Sequence, residues 1–165
     1  MGWAVQESRE AVVTALLEVG AAVDKPMHNG LTPLLYAACV GAEAVVTALT
    51  RGGAMVDLAV NGVTPLATAA DQGNIAAVIA LLPAGAAVNQ AIGDGETSLS
   101  MAAENDDLEV VRTLLEAGAD VNQVNDGKAT LLVNRSRQKR RETRRLWQCS
   151  TLGPWLETIL CSDIL

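Results

Sequence analysis

Apolar residues recur at helical spacing in three similar runs along the chain. These runs are residues 44–49, 76–82 and 108–115. Each places valine, isoleucine or leucine three or four positions apart, which is the spacing of one helix face. Alanine pairs stand before them, at residues 37–38, 69–70 and 102–103. The pattern predicts antiparallel pairs of short helices, in which the alanines let a neighbouring helix approach closely.

Two glycine motifs show that this pattern is an internal repeat. Gly30, Gly62, Gly95 and Gly127 follow one another at spacings of 32, 33 and 32 residues. A second motif, Gly-Ala-x-Val followed by Asp or Asn, keeps the same phase at residues 20–24, 53–57, 85–89 and 118–122. A fixed period of this length is typical of stacked supersecondary units. The predicted unit is helix, turn, helix, hairpin.

Each unit carries its own start and stop signals. Thr32 and Thr64 are predicted N-caps, each followed by a proline at the first helical position, where a missing N–H costs nothing. The glycines that open the second motif are predicted left-handed helix stops. Later units depart from the pattern. Ser98 and Thr130 replace the proline, Asp106 replaces a mid-unit glycine, and Pro83 falls near a helix end, where it removes a backbone hydrogen bond.

These motifs closely resemble the ankyrin repeat, with its Thr-Pro-Leu helix start, Ala-Ala pair and Gly-Ala-Asp-Val-Asn stop. The resemblance covers roughly residues 4–132. It implies an all-α solenoid of helix-turn-helix pairs with β-hairpin loops. The histidine that usually follows Thr-Pro-Leu is replaced by Leu35, Ala67 and Ser100, so its hydrogen bond between neighbouring loops is expected to be missing. The expected domains are residues 1–24, a partial repeat that resembles the second half of a unit; residues 25–134, three full repeats and one partial; and residues 135–165, an irregular, flexible basic tail.

Charge divides the chain into two parts. Residues 1–134 hold 16 acidic and 5 basic side chains, whereas residues 135–165 hold 3 acidic and 7 basic ones. Three cysteines without CxxC spacing argue against a disulfide framework or a zinc site and favour a cytoplasmic or nuclear location. We expect neither a secretion signal nor a membrane span, because the N-terminus lacks a basic region before an apolar run and no long uncharged apolar stretch is present.

Candidate catalytic groups are few. His28 is the single histidine, and its predicted place at a hairpin tip favours a solvated or partner-contacting residue over a catalytic one. The acids Glu104, Asp106, Asp107 and Glu109 lack the spacing of a calcium loop, and Asp106 or Asp107 is expected to cap the next helix. Cys39 is expected to be a buried small hydrophobe. The sequence therefore predicts a non-enzymatic protein without cofactor, metal or small-molecule substrate.

The resemblance implies a protein-binding surface on the hairpins and the exposed side of the first helices. The positions that it selects are Met27, His28, Leu31, Tyr36, Val40, Leu58, Val60, Val63, Asp71, Gln72, Ile92, Asp94, Glu96, Glu104 and Asn105. They are apolar towards the N-terminal end and acidic towards the C-terminal end. We expect a protein partner with an apolar anchor and a basic end. Packing of apolar tips against one another is the alternative reading of the apolar positions.

The basic run 135–145 leaves several roles open. It is compatible with a nuclear-import signal, a contact to nucleic acid or another anionic surface, an extension without function, or a segment that folds back on the acidic repeats. Two functions follow: a protein-binding adaptor, scaffold or inhibitor, or a nucleic-acid or chromatin-associated protein acting through residues 135–145. Because both terminal units look incomplete, we also expect the chain to be a piece or a shortened product of a longer repeat array.

Overall fold

The structure is a computed structural model that describes residues 2–7, 9–93 and 95–123. Its helices form four consecutive pairs. In chain order they are α1 (Gly2–Gln6) with α2 (Glu10–Glu18), α3 (Pro33–Val40) with α4 (Glu43–Arg51), α5 (Pro65–Asp71) with α6 (Ile75–Leu81), and α7 (Ser98–Glu104) with α8 (Leu108–Glu116). The predicted helix pairs are therefore confirmed in the described part of the chain.

Threonine caps start the first helix of each of the later pairs, and those at Thr32 and Thr64 are the ones predicted from the sequence. The side chains of Thr32 and Thr64 accept hydrogen bonds from the backbone N–H groups of Leu35 and Ala67, both at 3.2 Å. Thr97 makes the same bond without a following proline. There the Ser100 hydroxyl oxygen accepts a hydrogen bond from the backbone N–H of Thr97, at 2.9 Å, which completes a capping box. The capping box thus replaces the fixed backbone angle that proline supplies to the other two helices.

Left-handed residues end the helices and make the hairpins. Gly20, Gly53, Gly85 and Gly118 all have positive φ angles, between 83° and 94°. Between the second and third pairs, Asn61 (φ 53°) and Gly62 (φ 78°) join Val60 to Val63, which form an antiparallel bridge. Two consecutive positive φ angles are the mark of a type I′ turn, for which Asn-Gly is the preferred sequence.

The pairs stack so that first helices touch first helices and second helices touch second helices. One row runs α1, α3, α5, α7 and the other α2, α4, α6, α8. A continuous apolar core runs between the rows, and it contains Ala37, Ala38, Ala69, Ala70 and Ala102, all fully buried. Small side chains let neighbouring helices approach closely. The buried alanines therefore fit the packing of each first helix against the next.

A ladder of hydrogen bonds joins each hairpin to the next. Asp24 accepts from the backbone N–H of Met55 (3.2 Å), Asp57 accepts from Ala87 (2.9 Å), and Asn89 accepts from Asp120 (2.8 Å). The acceptor is always the last residue of the Gly-Ala-x-Val-Asp/Asn motif. The motif thus ends one unit and binds the third residue of the same motif in the next, so an apolar stack acquires a defined register.

Asparagine side chains make a second set of bonds between units. Asn74 donates to the carbonyl oxygens of Ala38 (3.0 Å) and Cys39 (2.6 Å) at the end of α3. The orphan carbonyls of a helix end need such partners. Gly41 leaves the space, because a Cβ atom built there would stand 2.8 Å from the Asn74 side-chain oxygen. In the next unit, Asn105 donates in the same way to the carbonyl of Asp71, at 2.8 Å.

The later units show the irregularities that the sequence suggested, with one correction. Helix α6 ends at Leu81, two positions earlier in the repeat than α4, because Pro83 has no N–H to continue it. The expectation that Asp106 or Asp107 caps α8 was wrong. Asp107 stands at the N-cap, but its side chain makes no capping bond. Its carboxylate lies instead where a side chain on Gly73 would be, so it faces the preceding unit.

Beyond Gln123 the chain lies outside the described residues. This applies to residues 124–134, to the predicted helix start at Thr130 and to the basic tail 135–165. The expected division into three domains therefore stays a prediction. Over the described ranges, no helix is long and apolar enough to cross a membrane.

Asp106 is the position where a single change should stabilise the stack. Its φ angle is 57°, whereas the equivalent positions are glycines, Gly41 at 71° and Gly73 at 68°. We expect Asp106→Gly to raise the free energy of unfolding by about 0.5–1 kcal/mol, because it relieves a left-handed conformation at an exposed site. Urea denaturation followed by circular dichroism measures this. Gly73→Asp is the reverse change in the preceding unit and should destabilise, both through its positive φ and because the new side chain would meet the Asp107 carboxylate. An Asp106→Gly variant no more stable than the unmodified protein would contradict the prediction.

Candidate functional site

A shared hydrogen bond sets the register of the four first helices. The backbone N–H of Arg9 donates to the carbonyl of Ala4, at 2.9 Å. The same bond recurs in the later units, from Ala42 to Ala37, from Asn74 to Ala69 and from Asp107 to Ala102. The four alanines are buried. They are therefore equivalent positions, and every neighbouring residue can be matched from one unit to the next.

This register defines one accessible strip that crosses all four first helices. In α3 every residue is buried except Tyr36, Cys39 and Val40, so the expectation that Cys39 is buried was wrong. The equivalent residues in the other units are Trp3, Gln6 and Glu7; Thr68, Asp71 and Gln72; and Met101, Glu104 and Asn105. We call these twelve positions the inner-helix strip. All except Met101 are at least partly accessible.

The first end of the strip is aromatic. Trp3 is 59% exposed, and the guanidinium of Arg9 lies over its ring, 5.0 Å from the centroid. Tyr36, the equivalent residue of the next unit, is half-buried. Burial raises the pKa of the Tyr36 hydroxyl above its ordinary value of 10.0, and Cys39 and Glu7 raise it further by charge repulsion with the phenolate. Glu7 follows directly after α1, and α1 packs against α3, so its charge acts across the first joint.

The other end of the strip is acidic and polar. Asp71 and Glu104 are equivalent residues on α5 and α7, and both are half-buried. The Gln72 amide donates to the Asp71 carboxylate, at 3.0 Å, which fixes the carboxylate on this side of α5. Lys and Arg are missing from the sequences of all four first helices. The strip is therefore aromatic at its first end, where Glu7 is its one acidic residue, and carries two carboxylates at its other end.

The hairpin positions selected from the sequence differ in accessibility. His28 is exposed, as is Val40 on α3. Most of the others are half-buried, namely Met27, Leu31, Leu58, Val60 and Val63. Asp94 lies outside the described residues. Met27 rests against α1, because a Cβ atom on Gly2 would meet its side chain at 3.1 Å. The hairpins thus form a partly covered margin beside the strip.

Two of the selected positions are buried side chains rather than surface contacts. Ile92 is 4% exposed and packs with Ala67, Met101 and Val63 in a small separate cluster. Glu96 is 6% exposed. Apolar hairpin residues thus pack on one another in the third and fourth units, which was the alternative reading of their hydrophobicity. The accessible apolar positions are consequently concentrated in the first two units.

Sequence reasoning missed Trp3 and Glu7 as members of the surface. The signal was present, because residues 10–16 and residues 43–49 both read Glu-Ala-Val-Val-Thr-Ala-Leu. An offset of 33 residues places Trp3 at the position of Tyr36 and Glu7 at that of Val40. The segment before residue 10 lacks the Thr-Pro-Leu start, so its first helix was not recognised. The structure shows a first helix, α1, before the segment that the sequence predicts as the second half of a unit.

Titration of Tyr36 tests this placement of Glu7. Tyr36 is the single tyrosine of the chain, so tyrosinate absorbance at alkaline pH reports on it alone. We expect a pKa above 10.0 in the native protein, and we expect Glu7→Gln to lower it, because one repelling charge is removed while burial remains. Glu10→Gln on α2 is the control and should leave it unchanged. An unaltered titration in Glu7→Gln would contradict the shared surface.

Comparison with known protein families agrees with this architecture. The family model of ankyrin repeats in three copies matches residues 1–92 and residues 54–125, which together are well over half of the chain. A search of the curated proteins found no match. Ankyrin repeats generally mediate protein–protein interaction and are typically non-enzymatic. On its repeat motifs, its stacked helix pairs and this match, the chain belongs to the ankyrin-repeat family.

Proposed function

We propose that the protein is a non-enzymatic adaptor, scaffold or inhibitor that binds an extended segment of a partner protein along the inner-helix strip. The observation that carries this proposal is the change of character along the strip, from Trp3 and Tyr36 to Asp71 and Glu104. Stacked repeats form extended surfaces, on which successive units contact successive parts of a ligand. A gradient along such a surface selects both the composition and the direction of the ligand.

The aromatic end supplies the anchor. Trp3 and Tyr36 are large, amphipathic side chains with few rotatable bonds, and such residues dominate binding energy at protein interfaces. Val40 is 42% exposed and extends the apolar area on α3. An apolar or aromatic side chain of the partner would bury part of this area.

The acidic end of the strip sets the direction in which the partner segment binds. Asp71 and Glu104 attract Lys or Arg, and charge complementarity of this kind fixes orientation and speeds association more than it raises affinity. Cations of the repeats themselves stand near the other end, with Arg9 over Trp3 and Lys25 exposed before the first hairpin. Glu7 at that end is accompanied by these cations, whereas Asp71 and Glu104 lie on helices without Lys or Arg, so a basic segment of the partner is favoured over α5 and α7.

The other function considered from the sequence acts through residues 135–145, which lie outside the described part of the chain. Within that part, Lys and Arg are confined to Arg9, Lys25, Arg51 and Arg112. Protein binding by the strip and nucleic-acid binding by the basic run use different residues. Substitutions can therefore separate the two activities.

Selection of peptides on the full-length chain tests the proposal. We expect linear peptides selected from a random library to share an apolar or aromatic anchor and, at a fixed distance, Lys or Arg. Trp3→Ala with Tyr36→Ala should weaken binding of these peptides at least about tenfold, because the anchor contact is lost. Asp71→Asn with Glu104→Gln should mainly lower the association rate and its dependence on salt.

Controls on the opposite side of the stack complete the experiment. Ile79→Ala and Glu43→Gln change exposed residues of the second helices and should leave peptide affinity unchanged. Peptides that bind every variant equally would contradict binding at the strip. Oligonucleotide binding that disappears when the Lys and Arg residues of 135–145 are changed to Ala, with no peptide selected by the strip, would favour the nucleic-acid function instead.

A further inference from the structure

Helix α2 exposes a face that the equivalent helix buries. Residues 10–16 of α2 and residues 43–49 of α4 are identical in sequence. Val45 is 1% exposed in α4, whereas its equivalent Val12 is 37% exposed in α2. Leu49 is fully buried, whereas its equivalent Leu16 is half-buried. In α4 this face is covered by α2, since the two helices pack together. We call Val12, Ala15, Leu16 and Val19 the leading face.

Helix α8 is the equivalent helix of the last described unit, and it exposes its other face. There Val110 and Leu114, which are equivalent to Val12 and Leu16, are fully buried. The residues that follow each of them are more accessible: Val111 is half-buried and Leu115 is 41% exposed. Leu108 is 70% exposed. We call Leu108, Val111, Arg112 and Leu115 the trailing face.

The internal joint between α2 and α4 shows how these two faces fit. Val111 and Leu115 are equivalent to Val13 and Leu17 of α2. Val13 is fully buried, and Leu17 reaches the following unit, where a Cβ atom on Gly52 would meet it at 2.7 Å. A trailing face therefore presents valine and leucine at the positions that α2 uses to cover α4. The leading face presents the sequence that α4 uses to receive them.

The hydrogen-bond ladder is open at the same two ends. Its donors are the N–H groups of Met55, Ala87 and Asp120, and the equivalent N–H of the first unit belongs to Ala22. Its acceptors are Asp24, Asp57 and Asn89, and the equivalent of the last described unit is Asn122. Within the described ranges, the Ala22 N–H donates no hydrogen bond and the Asn122 side chain accepts none. Both residues are exposed.

The charged residues near the leading and trailing faces are compatible with contact between these two faces. A groove between α2 and α4 is lined by Glu10, Thr14, Leu17 and Glu18 on one side and by Ala48, Arg51 and Gly52 on the other. It thus holds two carboxylates and one cation. If a trailing face covered a leading face in the same register, the equivalent groove would hold Glu116 and Arg112 from α8 and Glu18 from α2. Two carboxylates and one cation would again meet, with the cation now supplied by α8.

We propose that the protein self-associates head to tail, with the trailing face of one copy seated on the leading face of the next. Asn122 of one copy then accepts a hydrogen bond from the Ala22 N–H of the other, and Arg112 faces Glu18. Such an interface uses two different surfaces, so it does not close in a pair and further copies add to either end. The inner-helix strip stays open and becomes longer, although the proposal does not depend on what the strip binds.

One feature of this joint differs from the internal one. Val19 stands at the position of Gly52, where a Cβ atom would come within 2.7 Å of Leu17, so the Leu115 side chain must adopt a different rotamer from Leu17 to make room for Val19. Val19 is 80% exposed, and contact with Leu115 removes apolar surface of both from water.

Two complementary variants of the full-length chain test the proposal. Val12→Glu places a charge in the leading face, and Leu115→Glu places one in the trailing face. Sedimentation velocity of the unmodified protein should show a mass that rises with concentration beyond a dimer. Each variant alone should be monomeric, with association weakened at least about tenfold, because an unpaired charge would be buried in the joint. An equimolar mixture should form a dimer that grows no further, because each variant keeps the face that the other lacks.

Ile79→Glu is the matched control. Ile79 is 52% exposed on α6, away from both faces, and its replacement should leave self-association unchanged. If either glutamate variant loses its circular dichroism spectrum, the exposed pair Glu18→Arg and Arg112→Glu replaces it. Each single change should weaken association, and both changes in one chain should restore it. A monomer at every concentration, a mixture without dimers, or loss of association in Ile79→Glu would overturn the proposal.

Discussion

The structure depends on one constraint: a pair of short helices cannot bury its apolar side alone. Each unit has about two to two and a half turns of second helix and about two turns or fewer of first helix, too little to enclose a core. Burial is completed by the next unit, through Ala37, Ala69 and Ala102 in one row and Val45, Val78 and Val110 in the other. Because every unit needs a neighbour on both sides, the stability of the stack lies in its joints.

Polar bonds give these joints a register that apolar contact alone would not supply. Aspartate and asparagine at the end of each motif bind the backbone of the next unit, and Asn74 and Asn105 bind the carbonyls that end the preceding first helix. Their partners are main-chain groups, so these hydrogen bonds do not depend on which side chains are exposed nearby. The scaffold can therefore hold its geometry while Trp3, Tyr36, Asp71 and Glu104 vary the chemistry of the accessible strip.

The same constraint connects the binding surface to self-association. Within the described residues, the two outer units leave apolar residues and one ladder group each without the contacts that inner units have. The inner-helix strip lies on the first helices, whereas the leading and trailing faces lie on the second helices. A partner segment and a second copy of the chain would therefore occupy different surfaces, and assembly would repeat the aromatic-to-acidic sequence of side chains.

The sequence by itself determined the repeat length, the helix pairs, the caps at Thr32 and Thr64 and the family, because these follow from local backbone preferences and a strict period. It also located the change from apolar to acidic positions. Tertiary structure decided which of those side chains are accessible. Ile92 and Glu96 are buried by packing between hairpins, and Asp107 turns towards Gly73 instead of capping α8. These outcomes depend on contacts between residues about one repeat apart, which local preference and hydrophobicity do not encode.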